Sequence, residues 1–189
     1  PEQDAVIAIT SGVRNMQAVL DVVWDQLLPA IKPGKLAADD DAVKKLKQRL
    51  AKLSLTMPES GAGAPEKVVG KKFVFPANEQ KLESLTLESG SGGAMTLVTW
   101  IGGGEQRLIC APTEWTRSSV TWANWPARPA ASCGAWTTND TFTAKACFYE
   151  TPFVNTIRLR FSGDEVRASS EQNVGFGATR EAELVGRAK

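Results

Sequence analysis

The sequence predicts a mainly β protein: an antiparallel up-and-down, lipocalin-like β-barrel preceded by a short strand and two α-helices. Three observations predict it. From about Lys71 onward apolar residues recur at every second position, the period of a half-buried strand. Short turns rich in Gly, Asp and Ser interrupt that pattern at close intervals. Before Met57 the period is three to four, the spacing of one helix face.

The elements follow in order. Residues 5–9, Ala-Val-Ile-Ala-Ile, are a wholly apolar, β-branched run that reads as a strand buried on both faces. From Val13 the pattern becomes helical, with Met16, Val19, Leu20, Val23, Trp24, Leu27, Leu28 and Ile31 on one broad face. Pro29 ends or kinks this helix near Leu28. A second helix begins at Asp39-Asp40-Asp41, where carboxylates suit the free N–H groups. Val43, Leu46, Leu50 and Leu53 form its apolar stripe, and its lysines read as a solvated face. Met57 to Pro65, rich in Pro, Gly, Ala and Ser, reads as a linker.

Strands are expected near 72–76, 83–88, 94–101, 105–110, 115–122, 131–137, 141–149, 154–162, 165–172 and 182–187. The strand at 154–162 alternates cleanly, with Ile157, Leu159 and Phe161 on one face and Thr156, Arg158 and Arg160 on the other. A meander this long curls into a barrel or splits into a sandwich, and closure removes exposed edges. The chain thus divides into 1–31, 32–65 and 66–189, the last being the barrel.

Composition excludes much. The 189 residues carry a net charge of +1, so no electrostatic pull toward nucleic acid is expected. No apolar run is long enough for a helical membrane span. The absence of histidine removes Ser-His-Asp and Cys-His catalysis and histidine metal ligation. Cys110, Cys133 and Cys147 lie far apart without a C-x-x-C, so no metal site is expected. A Cys133–Cys147 disulfide would require suitable strand pairing; small buried thiols are the plainer reading. No cofactor is expected, because Gly102-Gly103-Gly104 lies between two strands and reads as a hairpin turn, unlike a phosphate cradle.

Six tryptophans invite two readings, a ligand-binding aromatic lining or plain barrel packing, and packing needs fewer assumptions. The most distinctive stretch is Cys147 to Phe153, which sets aromatics, a carboxylate and a turn proline close together. Candidate binding residues are therefore Tyr149, Glu150 and Phe153 in that turn, with Trp122 and Trp125 in the segment Trp122–Pro129. No residue is a catalytic candidate, since a lone Glu without a positioned partner does no acid–base work.

The run Gly134-Ala135-Trp136-Thr137-Thr138-Asn139-Asp140-Thr141-Phe142-Thr143-Ala144-Lys145, continued by Tyr149-Glu150-Thr151-Pro152-Phe153, resembles the C-terminal domain of β-lactamase-related serine hydrolases. Gly70 to Phe75 and Asn173 to Gly177 add to it, and residues 4–31 look like the last strand and helix of the hydrolase domain. The resemblance implies a penicillin-binding-protein-like parent with a lipocalin-like accessory barrel that shapes substrate access. The chain would then be a piece of a longer protein. The family's Ser-x-x-Lys, Tyr-x-Asn and Lys-Thr-Gly motifs are missing: Ser11 leads to Arg14, and Tyr149 to Thr151. The resemblance would place them upstream of Pro1. Two further classes stay open, a small-molecule or sugar-binding barrel and a structural self-association domain. The expected partners are the parent's hydrolase domain and a second copy through the N-terminal helix. An apolar cavity open to solvent would favour the binding barrel.

Overall fold

The protein is described by a computed structural model covering residues 4–61, 63, 68–122 and 125–189, without the side chains of Trp122 and Trp125. It divides into two units, residues 1–56 and 57–189.

In the first unit, α1 (Met16–Val22) is capped by Asn15, whose Oδ1 accepts from Ala18 N at 3.1 Å. The long helix expected from Val13 is shorter and changes character. Pro29 has no N–H to give, and the ladder loosens ahead of it: Leu28 N–H reaches back five residues to Val23 O. A 3₁₀ turn at Leu28–Ala30 ends the segment. Helix α2 (Asp40–Ala51) starts where expected, with Asp39 Oδ1 accepting from Ala42 N at 2.8 Å. The expected strand at 5–9 is absent: these residues are irregular and exposed, Val6 almost completely. An apolar run becomes a strand only beside a partner that takes its N–H and C=O groups, and it has none among the described residues. No described residue of this unit is buried. Neither helix is long and apolar enough to cross a membrane.

The second unit holds ten antiparallel strands: β1 (Lys72–Val74), β2 (Leu82–Ser89), β3 (Met95–Ile101), β4 (Gly104–Cys110), β5 (Thr116–Trp122), β6 (Trp125–Trp136), β7 (Thr141–Cys147), β8 (Val154–Ser162), β9 (Glu165–Gln172) and β10 (Leu184–Ala188). Their order is β4-β3-β2-β1-β10-β9-β8-β7-β6-β5. This is the expected up-and-down meander, curled until its end strands β4 and β5 approach. The seam closes through β6, by a parallel bridge between Ala111 and Cys133. Ser132 Oγ donates to Ile109 O at 2.5 Å, and Gly134 N donates to Ala111 O at 3.1 Å. Gly134 permits that approach, since a Cβ there would lie 2.9 Å from both Cys110 Cβ and Phe142 Cζ.

The segment Trp122–Pro129, expected as a loop, is a hairpin in which Trp122 pairs with Trp125 and Ser119 with Pro129. Its prolines are tolerated because β7 pairs only with Ala131–Trp136, which leaves the start of β6 bonded on one side. The supposed linker is also partly docked. Gly61 N donates to Trp136 O at 2.7 Å, and a Cβ there would meet Thr137 O at 2.3 Å. Residues 62, 64 and 65 of that stretch lie outside the described residues. All three cysteines are free and buried, so Cys133 and Cys147 are not bridged.

Candidate functional site: an apolar cavity open at one end of the barrel

In a pure meander, alternate turns fall at opposite ends. The β2–β3, β4–β5, β6–β7 and β8–β9 turns share one end, and this end is filled. Phe73 and Phe161 pack there as tilted rings with centroids 5.4 Å apart, and the Trp136 ring centroid lies 5.5 Å from those of both Phe142 and Phe161. All four side chains are buried. These aromatics do what barrel packing asks of them.

The other end is different. There the inward positions carry Leu82, Leu85, Leu97, Ile101, Leu108, Val120, Ile157, Leu159, Ala168 and Leu184, which line a cavity of about 640 Å³ open to solvent. None of its described lining residues is aromatic. Inward polar groups are few and neutral: Thr99, Gln106 and Ser170. At the rim, Gln80 Nε2 donates to Ala182 O at 2.7 Å, tying the β1–β2 turn to the β9–β10 loop. Glu79 and Glu181 stand exposed beside that tie. Arg107 also borders the cavity, but its guanidinium is held on the outer face by Glu88 at 2.5 Å and Glu105 at 3.4 Å. Those two carboxylates raise its pKa further. Among the described residues three buried side-chain polar atoms have no partner: Asn155 Nδ2 on β8, Ser118 Oγ on β5 and, at the filled end, Trp136 Nε1 on β6.

The sequence candidates fall at the same end, but the described ones do not line the cavity. Tyr149, Glu150 and Phe153 share the β7–β8 turn, closed by Thr151 N to Phe148 O at 2.7 Å and Phe148 N to Phe153 O at 3.0 Å. Tyr149 is exposed, with the Arg117 guanidinium 5.5 Å over its ring, a contact on the outside of the barrel. Glu150 is exposed and Phe153 half-buried, whereas the neighbouring Phe148 is buried. Trp122 and Trp125 pair at the tip of the β5–β6 hairpin, and their side chains lie outside the described residues. The lining leucines were missed as site residues. Their signal was the inward half of each strand's alternation, which Ile157 and Leu159 displayed most clearly.

Chemistry within the barrel is limited. Burial pushes the Cys110 thiol up to about 12 and Cys133 up to about 11, so neither is a ready thiolate. No cluster of three or more His, Cys, Asp or Glu that could hold a metal occurs among the described residues. The arrangement is that of a container: apolar walls, one plugged end and one wet mouth.

No protein-family model and no curated protein sequence matches the chain. Its backbone is similar to that in the crystal structure of Echinococcus granulosus fatty-acid-binding protein 1, with 13% identity and a TM-score of 0.48 over 65% of this chain and 98% of that one. A likeness of that degree carries no argument about what this chain binds.

Proposed function

We propose that the barrel binds a small, largely apolar molecule in its open cavity. The single observation that carries this reading is the unfilled aliphatic space of about 640 Å³ continuous with solvent. Ligand sites run to roughly 300–1,000 Å³ and are mostly apolar with a few placed polar groups. A purely structural barrel has no use for such a void, because unfilled space forfeits dispersion contacts. The test is titration with the neutral dye Nile red, read by its fluorescence, on the chain and on Ala168→Trp. Ala168 lines the cavity, so the indole would occupy it. Saturable binding lost in Ala168→Trp, with urea unfolding still cooperative, supports the reading. Binding that is unchanged in that variant, or never saturable, defeats it.

A second reading is favoured by a different observation. In the N-terminal unit Met16, Leu20, Trp24 and Leu27 present an uncovered apolar face. The resemblance to β-lactamase-related hydrolases supplies a candidate cover, a catalytic domain for which the barrel would serve as an accessory module. Deleting residues 66–189 from a chain that carries such a domain should then change the rate ratio between bulky and small ester substrates. An unchanged ratio would remove the accessory role.

A further inference from the structure

We infer that the open rim of the barrel docks on a lipid bilayer with zwitterionic headgroups, and that the ligand passes between bilayer and cavity there; this rests on the binding reading above. The placement of the aromatic residues carries the inference. At the plugged end Phe73, Trp136, Phe142 and Phe161 turn inward and are buried. At the mouth end aromatics are exposed instead. Phe176 is fully exposed in the β9–β10 loop, Tyr149 is exposed in the β7–β8 turn, and Trp100 is exposed close to the β3–β4 turn. Exposed aromatics gather at the level of lipid headgroups, where an apolar ring meets a wet, polar layer.

The loop that carries Phe176 is braced. Gln172 N donates to Thr179 O at 2.8 Å and Glu171 bridges Arg180, so the chain continues as a hairpin past the end of β9. Asn173 ties this hairpin to the neighbouring turn: its Nδ2 donates to Pro152 O at 2.9 Å, and its Oδ1 accepts from Val154 N at 2.8 Å. Phe176, between Gly175 and Gly177, lies beyond these ties, and the turn they fasten carries Tyr149. Two further observations name the partner. This end opens onto an aliphatic cavity of about 640 Å³, so a bilayer against the rim brings hydrocarbon to the mouth, whereas a protein cover would seal it. An apolar occupant partitions into hydrocarbon and away from water, so the bilayer is also where it is found. Charge at this end is mixed: Lys81, Arg180 and Arg128, which pairs with the inward Val120, are offset by Glu79, Glu150 and Glu181. An anionic leaflet is recognised by clustered Lys and Arg, and a zwitterionic one asks for no such excess.

Co-sedimentation of the whole chain with sucrose-loaded phosphatidylcholine vesicles tests this. Binding should be saturable. Phe176→Ser should weaken it at least about tenfold, the worth of withdrawing one phenyl side chain from an apolar phase, with the urea midpoint unchanged. Phe176→Trp should keep or strengthen it, since indole suits the headgroup layer. Leu20→Ser combined with Trp24→Ser, on the exposed face of the N-terminal unit, should leave it unchanged. Pelleting untouched by Phe176→Ser, or lost in the N-terminal pair instead, overturns the inference. Pelleting seen only when phosphatidylserine is added also overturns it, and assigns the contact to the lysines of α2. A dimer that dissociates in Phe176→Ser, without vesicle binding, overturns it in favour of a second copy at the rim. No pelleting beside saturable Nile red binding overturns the docking surface and leaves the cavity reading standing. Pelleting without dye binding defeats the cavity reading, and the passage of ligand with it.

Discussion

Leu87 and Leu159 are a matched pair that separates packed core from cavity wall. Both are inward leucines exposed at only 1%. Leu159 lines the open cavity, whereas Leu87, further along β2 toward the aromatic end, does not. Truncation to alanine removes three methyl- or methylene-sized groups in either case, worth roughly 2–3 kcal/mol of transfer free energy. At Leu87 the deletion also opens a closed void, so its total cost should be about 3–5 kcal/mol. At Leu159 the deletion enlarges a space that already communicates with water, so the void term should largely vanish. Leu87→Ala should therefore lower stability by about 1–2 kcal/mol more than Leu159→Ala. Urea unfolding followed by tryptophan fluorescence measures this as a difference in midpoint at constant slope. Nile red affinity should change in Leu159→Ala and stay put in Leu87→Ala. Equal losses of stability, with dye binding indifferent to both, would refute the division of the barrel into a filled and an open end.

Other outcomes follow from the same geometry. Gly134→Ala should destabilise the barrel by about 1–3 kcal/mol through overpacking at the seam, checked by its urea midpoint against that of Gly63→Ala, where a Cβ meets nothing within 4 Å. The Asp140 carboxyl is held below the usual range by hydrogen bonds from Thr138 and Thr141 and, less strongly, by Arg160. Its contribution to stability is thus present above the unfolded pKa and lost as pH falls through the lower folded value. Asp140→Asn should flatten the acid limb of a stability–pH curve without altering the plateau slope near neutrality. With Cys110 and Cys133 titrating near 12 and 11 in the fold, labelling by a disulfide reagent at pH 8 should be slow in the native chain and fast for all three thiols in urea. Rapid native labelling would show that the seam opens readily.

The strands were the most legible part of the sequence. The strands expected at 154–162 and 165–172 coincide with β8 and β9, since alternation there is unbroken and Gly163-Asp164 marks the turn. Where local chemistry and pairing conflict, the reading failed. Pro126 and Pro129 concealed the first half of β6, because tolerance of proline depends on which side of a strand is bonded. Residues 5–9 have every property of a strand except a neighbour, and the neighbour decides. The site was partly legible. The Tyr149–Phe153 turn and the Trp122–Trp125 hairpin do fall at the mouth end, as the parity of a meander requires. The cavity was not. Ile157 and Leu159 declare an inward face, but emptiness is a property of the whole ring. It depends on summed side-chain volume against barrel radius, with Ala168 and the other lining groups counted together. The aromatic plug was hidden for the same reason. Trp136 and Phe142 face each other across the short β6–β7 turn, but Phe73 is far from them and from Phe161 in sequence and joins them only once β1 has paired with β10.

Methyl-resolved NMR with a neutral apolar ligand such as decan-1-ol tests the central claim most directly, because the exposed apolar face of the N-terminal unit could also attract it. Saturable shifts should be confined to the methyls that line the cavity, among them those of Leu85, Leu97, Leu108, Ile157, Leu159 and Leu184, with Leu87 and the N-terminal leucines unmoved. Shifts concentrated on Leu20, Leu27 and their neighbours, with the barrel methyls silent, would contradict the account and leave the cavity without a ligand.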